Sequence, residues 1–199
     1  HPHRHRAVDA ARCSRLAAYR LATTTLQVHE PEPGNRNHQT YHCDGGDTYP
    51  IAGYPQSARA AAAKLRKCRA VINSRLDAAG SAAARMVGPK NEILAGEVDL
   101  ATSCTFAGGF SGRAKCDVLW QLGIALHVTQ DFYAHSNWAD RADTRRGRVI
   151  GVDNPDGFRR ASRAPFLEVR GSAPLPRGLI TGCFGLPETA TCNYGGLLG

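Results

Sequence analysis

The 199-residue chain predicts a mainly α fold. Three observations carry that reading. Residues 5–29 and 56–79 are rich in Ala, Leu and Arg and contain neither Gly nor Pro, the two residues that most disfavour helix interiors. Residues 113–140 space their apolar side chains at helical intervals. Neither half of the chain is strand-rich, and no repeat occurs.

The elements follow in order. Residues 5–29 are expected to form a first helix. "EPEPGNRNHQTYHCDGGDTYPIAGYP" follows, dense in Gly, Pro, Asn and Asp, and is expected to be loop. Residues 56–79 predict a second helix with Leu65, Cys68, Ile72 and Leu76 as its apolar stripe. Pro55 suits its start and Gly80 its end. A short helix is expected near "NEILAGEVDL", then a glycine-rich loop, "CTFAGGFSGRAKC", between two cysteines. The most apolar helix spans 113–140 and carries Leu119, Leu122, Leu126 and Phe132. Beyond 140 the chain is aperiodic and punctuated by Gly and Pro. The expectation is one domain over 1–199, with a helical core at 1–140 and a loop-rich segment at 141–199.

The formal net charge is +8, which favours anionic partners such as phosphodiesters, nucleic acid or anionic lipid headgroups. Of the 25 basic residues 21 are Arg; the Ala- and Arg-rich, Lys-poor usage also fits a GC-rich coding bias, which dilutes the functional signal. No apolar run reaches the roughly 18 residues of a membrane span. The start, "HPHRHR", without Met, is what a processed or artificially started chain would show. Seven cysteines stand singly at 13, 43, 68, 104, 116, 183 and 192 with no CxxC pair, which argues against cysteine-rich zinc sites and thioredoxin-like motifs. Scattered cysteines among long loops read as disulfides in a secreted protein. The expected pairs are Cys104–Cys116 and Cys183–Cys192, each closing a short loop, and Cys43–Cys68, tying a loop to the second helix. Cys13 is left over.

The chemistry concentrates in "LGIALHVTQDFYAHSNWAD", residues 122–140. His127, Asp131 and His135 stand at i, i+4 and i+8, each rotated by only about 40° from the last, so all three share one helix face. An ordinary core helix would put Leu or Val there. Imidazole and carboxylate are common zinc ligands, and two donors at i and i+4 can converge on one ion. A third at i+8 starts about 12 Å along the axis from the first. One ion serving His127 and His135 would be awkward; two ions with Asp131 between them fit better, an arrangement suited to clamping a phosphodiester. The same residues also read as polar core side chains satisfied by hydrogen bonds.

"ALHVTQDFYAHSNW" resembles the signature of the fungal Het-C heterokaryon-incompatibility proteins and of secreted actinobacterial proteins of the CinY type. Both are similar to the zinc-dependent phospholipase C family and the single-strand-specific zinc nucleases. "HCDGGD" and "CTFAGGFSGRAKCD" also look CinY-like. The resemblance implies a phospholipase C/nuclease-like helical bundle with long disulfide-stapled loops and an irregular C-terminal segment. It implies two or three zinc ions, with His127, Asp131 and His135 as ligands and Asp131 as the bridging, catalytic carboxylate. It implies a phospholipid or single-stranded nucleic acid as substrate. The family pattern adds a further His downstream, whereas this chain has none beyond His135; its first residue is His1, where the family uses a tryptophan.

"NHQTYHCDGGD" places His38, His42, Asp44 and Asp47 within ten residues, a second candidate source of metal ligands, or an Asx-rich turn held by Cys43. His1, His3 and His5 read as ligands or as a solvated terminus. The glycines of "FAGGFSG" read as a phosphate cradle or a disulfide-closed structural loop. Phe132, Tyr133 and Trp138 read as pocket lining or core. Arg141, Arg145, Arg146 and Arg148 read as a phosphate patch or a solvated cluster. No GxSxG, Walker or Rossmann pattern occurs. Two functions compete: a secreted zinc-dependent phosphodiester hydrolase, and a non-enzymatic, disulfide-stapled binding or toxin-like module with a reduced or absent metal site.

Overall fold

The computed structural model describes residues 38–46, 57–99, 101, 104, 113–139, 160, 163–168 and 171–182. These are mainly helical: α1 (His38–Tyr41), α2 (Ala58–Ala84), α3 (Ala95–Val98), α4 (Ala114–His135) and a 3-10 turn (Pro165–Leu167). No strand occurs among the described residues, only two isolated bridges, Val87 with Ile93 and Ser136 with Thr181. None of the described helices is long and apolar enough to cross a membrane. The expected helix over 5–29, the Cys183–Cys192 pair, Cys13, the glycines of "FAGGFSG" and most of 141–199 lie outside the described residues.

Two boundaries differ from expectation. Helix α2 does not stop at Gly80 but continues to Ala84, because Ala79 and Ala82 are both buried and a further turn of Ala-rich helix covers that apolar face. Helix α4 ends at His135 rather than near 140. There Ser136 and Asn137 divert their own side chains to backbone groups: the Ser136 hydroxyl accepts from Trp138 N–H at 3.3 Å, and Asn137 bonds to residues 178 and 180. Within the stretch expected to be all loop, residues 38–41 form a helical turn. Leu126, expected among the apolar residues of α4, is 40% exposed, and Leu119 and Leu122 are half-buried. Apolar side chains stand on several sides of that helix, and one packed face cannot bury every one of them.

The chain divides into two compact units. The first takes His1–Gly34 and Arg75–Leu126. Its described residues are joined by the expected Cys104–Cys116 disulfide, with Cα atoms 5.4 Å apart, and by ion pairs Arg85–Asp117 and Arg113–Asp99. The Glu97 carboxylate accepts the Ala114 N–H at 2.6 Å, which satisfies a donor at the N-terminus of α4 and places a negative charge where the helix dipole favours one.

The second unit takes Asn35–Ser74 and His127–Gly199. Its core is Leu65, Cys68 and Ile72 from α2, Val128 and Phe132 from α4, and Trp138, Phe166, Leu179 and Ile180, all buried. The Ser57 hydroxyl caps α2 by accepting the Ala60 N–H at 3.2 Å. The expected Cys43–Cys68 disulfide is present, with Cα atoms 5.1 Å apart. Residues 178–182, expected to be coil, stitch two segments together. Gly182 N–H donates to the His135 carbonyl at 2.8 Å and so caps the end of α4; Asn137 N–H donates to Ile180. On the other side Gly45 N–H donates to the Gly182 carbonyl, and Gly46 N–H to the Thr181 hydroxyl at 2.8 Å. The loop after α1 is thereby fixed against the last two turns of α4.

Candidate metal centre

Helix α4 presents His127, Asp131 and His135 at successive turns, and the loop after α1 lays His42 and Asp44 against them. His42 Nδ1 lies 2.5 Å from Asp131 Oδ2, and His127 Nε2 lies 3.1 Å from the same oxygen. The His42 and His127 rings meet edge to face with centroids 5.0 Å apart. Together His42, His127 and Asp131 offer one ligand atom each, all within 4.8 Å of one another. Around a tetrahedral ion with bonds of about 2.0–2.1 Å, ligand atoms stand roughly 3.3 Å apart, so small side-chain adjustments bring this group to coordination distance. Two imidazole nitrogens and a carboxylate oxygen form the donor set of many divalent metals, so the group could hold a metal ion.

His135 faces elsewhere. Its Nδ1 lies 2.8 Å from Asp44 Oδ1 and 3.2 Å from the His42 carbonyl oxygen. A carbonyl only accepts, so Nδ1 carries the proton, and in the neutral ring the lone pair is on Nε2. His42 and His135 stack with centroids 6.4 Å apart.

The site's polarity shifts its titrations. The hydrogen bond to Asp131 holds the His42 pKa above its usual 6.5, against the opposing effect of burial. Burial pushes the Asp44 carboxyl above its usual 3.8, with His135 acting against it. Burial alone would lower His135, but the hydrogen bond and charge of Asp44, the charge of Asp131 and the His42 carbonyl together raise it.

Of the residues singled out in the sequence, the structure brings together His42, Asp44, His127, Asp131 and His135. His38 opens α1, while Asp47, His1, His3, His5, Arg141, Arg145, Arg146 and Arg148 lie outside the described residues. Phe132 and Trp138 are fully buried core, not pocket lining. Tyr133 does line an open cleft of about 410 Å³ with Thr129, Arg163, Ala164, Leu167 and Glu168; its hydroxyl accepts the Ala164 N–H at 2.7 Å. Sequence reasoning missed Thr181 and Gly46, which seat the His42 loop. The one local signal was "PRG" at 176–178, where Gly178 at φ 82° closes a turn leading into that segment. Compared with protein-family models, with curated proteins and with solved structures, the chain matches none.

Proposed function

We propose that this chain is a secreted, zinc-dependent phosphodiester hydrolase whose metal is held by His42, His127 and Asp131. One observation carries the reading: the three ligand atoms within 4.8 Å of one another, drawn from a helix and a disulfide-fixed loop. Three protein ligands of this type leave a fourth position open, as catalytic zinc sites do. Bound zinc would polarise a phosphoryl oxygen and lower the pKa of a bound water. The chain's own part is to hold the ligands in register. Asp44 fixes the orientation of His135, whose Nε2 then serves either a second ion or a proton. In a multinuclear form Asp131 would be shared between ions, and His135, Asp44, Asp47 and His38 would be the candidate further donors. The net charge of +8 suits an anionic substrate, phospholipid or single-stranded nucleic acid. The likeness of "ALHVTQDFYAHSNW" to Het-C and CinY proteins points the same way, and the two disulfides are compatible with an extracellular protein.

The test is metal analysis of protein purified without chelator, followed by hydrolysis assays on a bis-aryl phosphodiester, phosphatidylcholine vesicles and a single-stranded oligonucleotide. Two or three zincs per chain, with chelator-sensitive hydrolysis of at least one substrate, are expected. A metal-free chain inert on all three sinks the reading.

A second reading is a binding module that holds a single ion. The pairing of Asp44 with His135 favours it, because those two side chains satisfy each other and one three-ligand group is left among the described residues. One zinc per chain without hydrolysis supports this reading.

A further inference from the structure

Cys43 sits between the two loop residues that reach α4. On one side His42 bonds to Asp131; on the other Asp44 bonds to His135. Cys43 itself has φ 56°, a backbone conformation uncommon for a residue with a side chain, and is joined to Cys68 on α2. Both cysteines are buried, at 2% and 0% exposure. The same three-residue stretch is therefore tied covalently to one helix and through two polar side chains to another.

We propose that the Cys43–Cys68 disulfide and a metal ion held by His42, His127 and Asp131 are coupled: the ion shields the disulfide from reductants, and the intact disulfide tightens metal binding. The inference rests on the metal site proposed above and adds a form of redox regulation to it. A reductant must reach a sulfur to attack it, and both cysteines are closed off while the His42 loop is seated. The loop must lift to admit the reductant. An ion bound at once to His42 on the loop and to His127 and Asp131 on α4 opposes that lifting. If the ion binds only the seated form, the open population falls by the factor 1 + [metal]/Kd, about tenfold at ten times Kd. The covalent tie from Cys43 to Cys68 also holds the loop seated, so a chain with the two cysteines reduced binds the ion less tightly, and by linkage the ion favours the oxidised form. None of the three proposed ligands adjoins Cys104 or Cys116 in the sequence, so that disulfide provides an internal reference.

The experiment uses the full oxidised chain and a water-soluble trialkylphosphine, which does not add a competing thiol. Each turnover converts phosphine, disulfide and water into phosphine oxide and two thiols; phosphorus loses the two electrons that the sulfurs gain. The appearance of alkylatable Cys68 and Cys116 is followed by peptide mapping with saturating zinc and with chelator. Zinc is expected to slow Cys68 release tenfold or more and to leave Cys116 release within twofold. In His42→Ala the zinc effect on Cys68 is expected to vanish. In a parallel calorimetric titration, Cys43→Ser/Cys68→Ser binds zinc tenfold or more weakly, and Cys104→Ser/Cys116→Ser binds within twofold of wild type. Zinc binding to wild type with unchanged Cys68 release overturns the coupling alone; no zinc binding at all overturns the metal site and the coupling together.

Discussion

His135 donates its Nδ1–H to Asp44 at 2.8 Å and lies 3.2 Å from the carbonyl of His42, so one imidazole bonds to both ends of the three-residue loop that carries a candidate metal ligand. Asp44 is 1% exposed at its side chain, and a buried carboxylate left without its partner is costly. Asp44→Asn keeps an acceptor of the same shape and removes the charge. We expect it to retain the zinc held by His42, His127 and Asp131 within about tenfold of wild type. Asp44→Ala, which removes one acceptor of the His135 N–H, is expected to cost about 1–3 kcal/mol of stability. Zinc titration with thermal melting checks both. Complete loss of zinc in Asp44→Asn would instead make Asp44 a ligand.

Asp131 accepts from His42 and faces His127 through a single oxygen, so its charge is what both imidazoles meet. In Asp131→Asn that charge is gone. With zinc present the variant is expected to bind the ion at least 100-fold more weakly, to melt below wild type, and to lose any phosphodiester hydrolysis. With chelator the difference in melting is expected to be small at pH 8 and larger at pH 5.5, where His42 is protonated and wants an anionic partner. An equal zinc-induced rise in the two melting temperatures would remove Asp131 from the ligand set.

The pH dependence has a definite sign. His42 and His135 both have pKa values raised above 6.5, so their stabilising pairings are complete below 6.5 and are lost as pH rises through the folded values. Asp44 is raised above 3.8, so its contribution is complete below 3.8 and also declines as pH rises through its folded value. In chelator all three groups lower stability with rising pH. Zinc acts oppositely, because it requires neutral imidazoles and displaces their protons. The rise in melting temperature on adding zinc is therefore expected to be small at pH 5.5 and to grow towards pH 8. Melting curves at both ends, with zinc and with chelator, decide it, and an increment independent of pH would exclude His42 as a ligand.

Local chemistry was legible in the sequence, and long-range placement was not. The i, i+4, i+8 register put His127, Asp131 and His135 on one face, and cysteine spacing was enough to pair 104 with 116. Which partner each histidine takes depends on where the His42 loop lands. The expected Cys43–Cys68 pair settles part of that, and the rest is set by Thr181, 135 residues from the Gly46 it anchors. No periodicity encodes such a contact. The end of α2 was misplaced because a glycine at a helix end and a glycine inside a helix read alike locally. Burial of Ala82 decides between them, and burial is a property of the folded chain.

That interior glycine gives a clean test. Gly80 lies within α2, is exposed, and a Cβ built there meets nothing within 4 Å. Gly80→Ala lowers the backbone entropy of the unfolded chain without crowding the folded one. It is expected to stabilise the protein by about 0.5–1 kcal/mol with zinc affinity unchanged. Were Gly80 the helix terminus, in a left-handed conformation, the same change would destabilise. A denaturant melt gives the sign.

Gly46 is the opposite case. A Cβ there would stand 2.5 Å from the Thr181 hydroxyl and 2.6 Å from Leu65 Cγ. Both neighbours are buried, and Cγ of Leu65 is not a flexible chain end that can swing aside. Gly46→Ala must therefore displace either the core leucine or the 178–182 segment that caps α4. Overpacking of this kind costs about 1–3 kcal/mol. The displaced loop is the one that carries His42, so zinc binding should weaken together with stability. The two losses share one cause, and making room should recover both. Adding Leu65→Val to Gly46→Ala is expected to restore part of the melting temperature and part of the zinc affinity, although Leu65→Val alone destabilises. If the second substitution only adds to the damage of the first, the clash with Leu65 is not what limits the site, and the contact with Thr181 is.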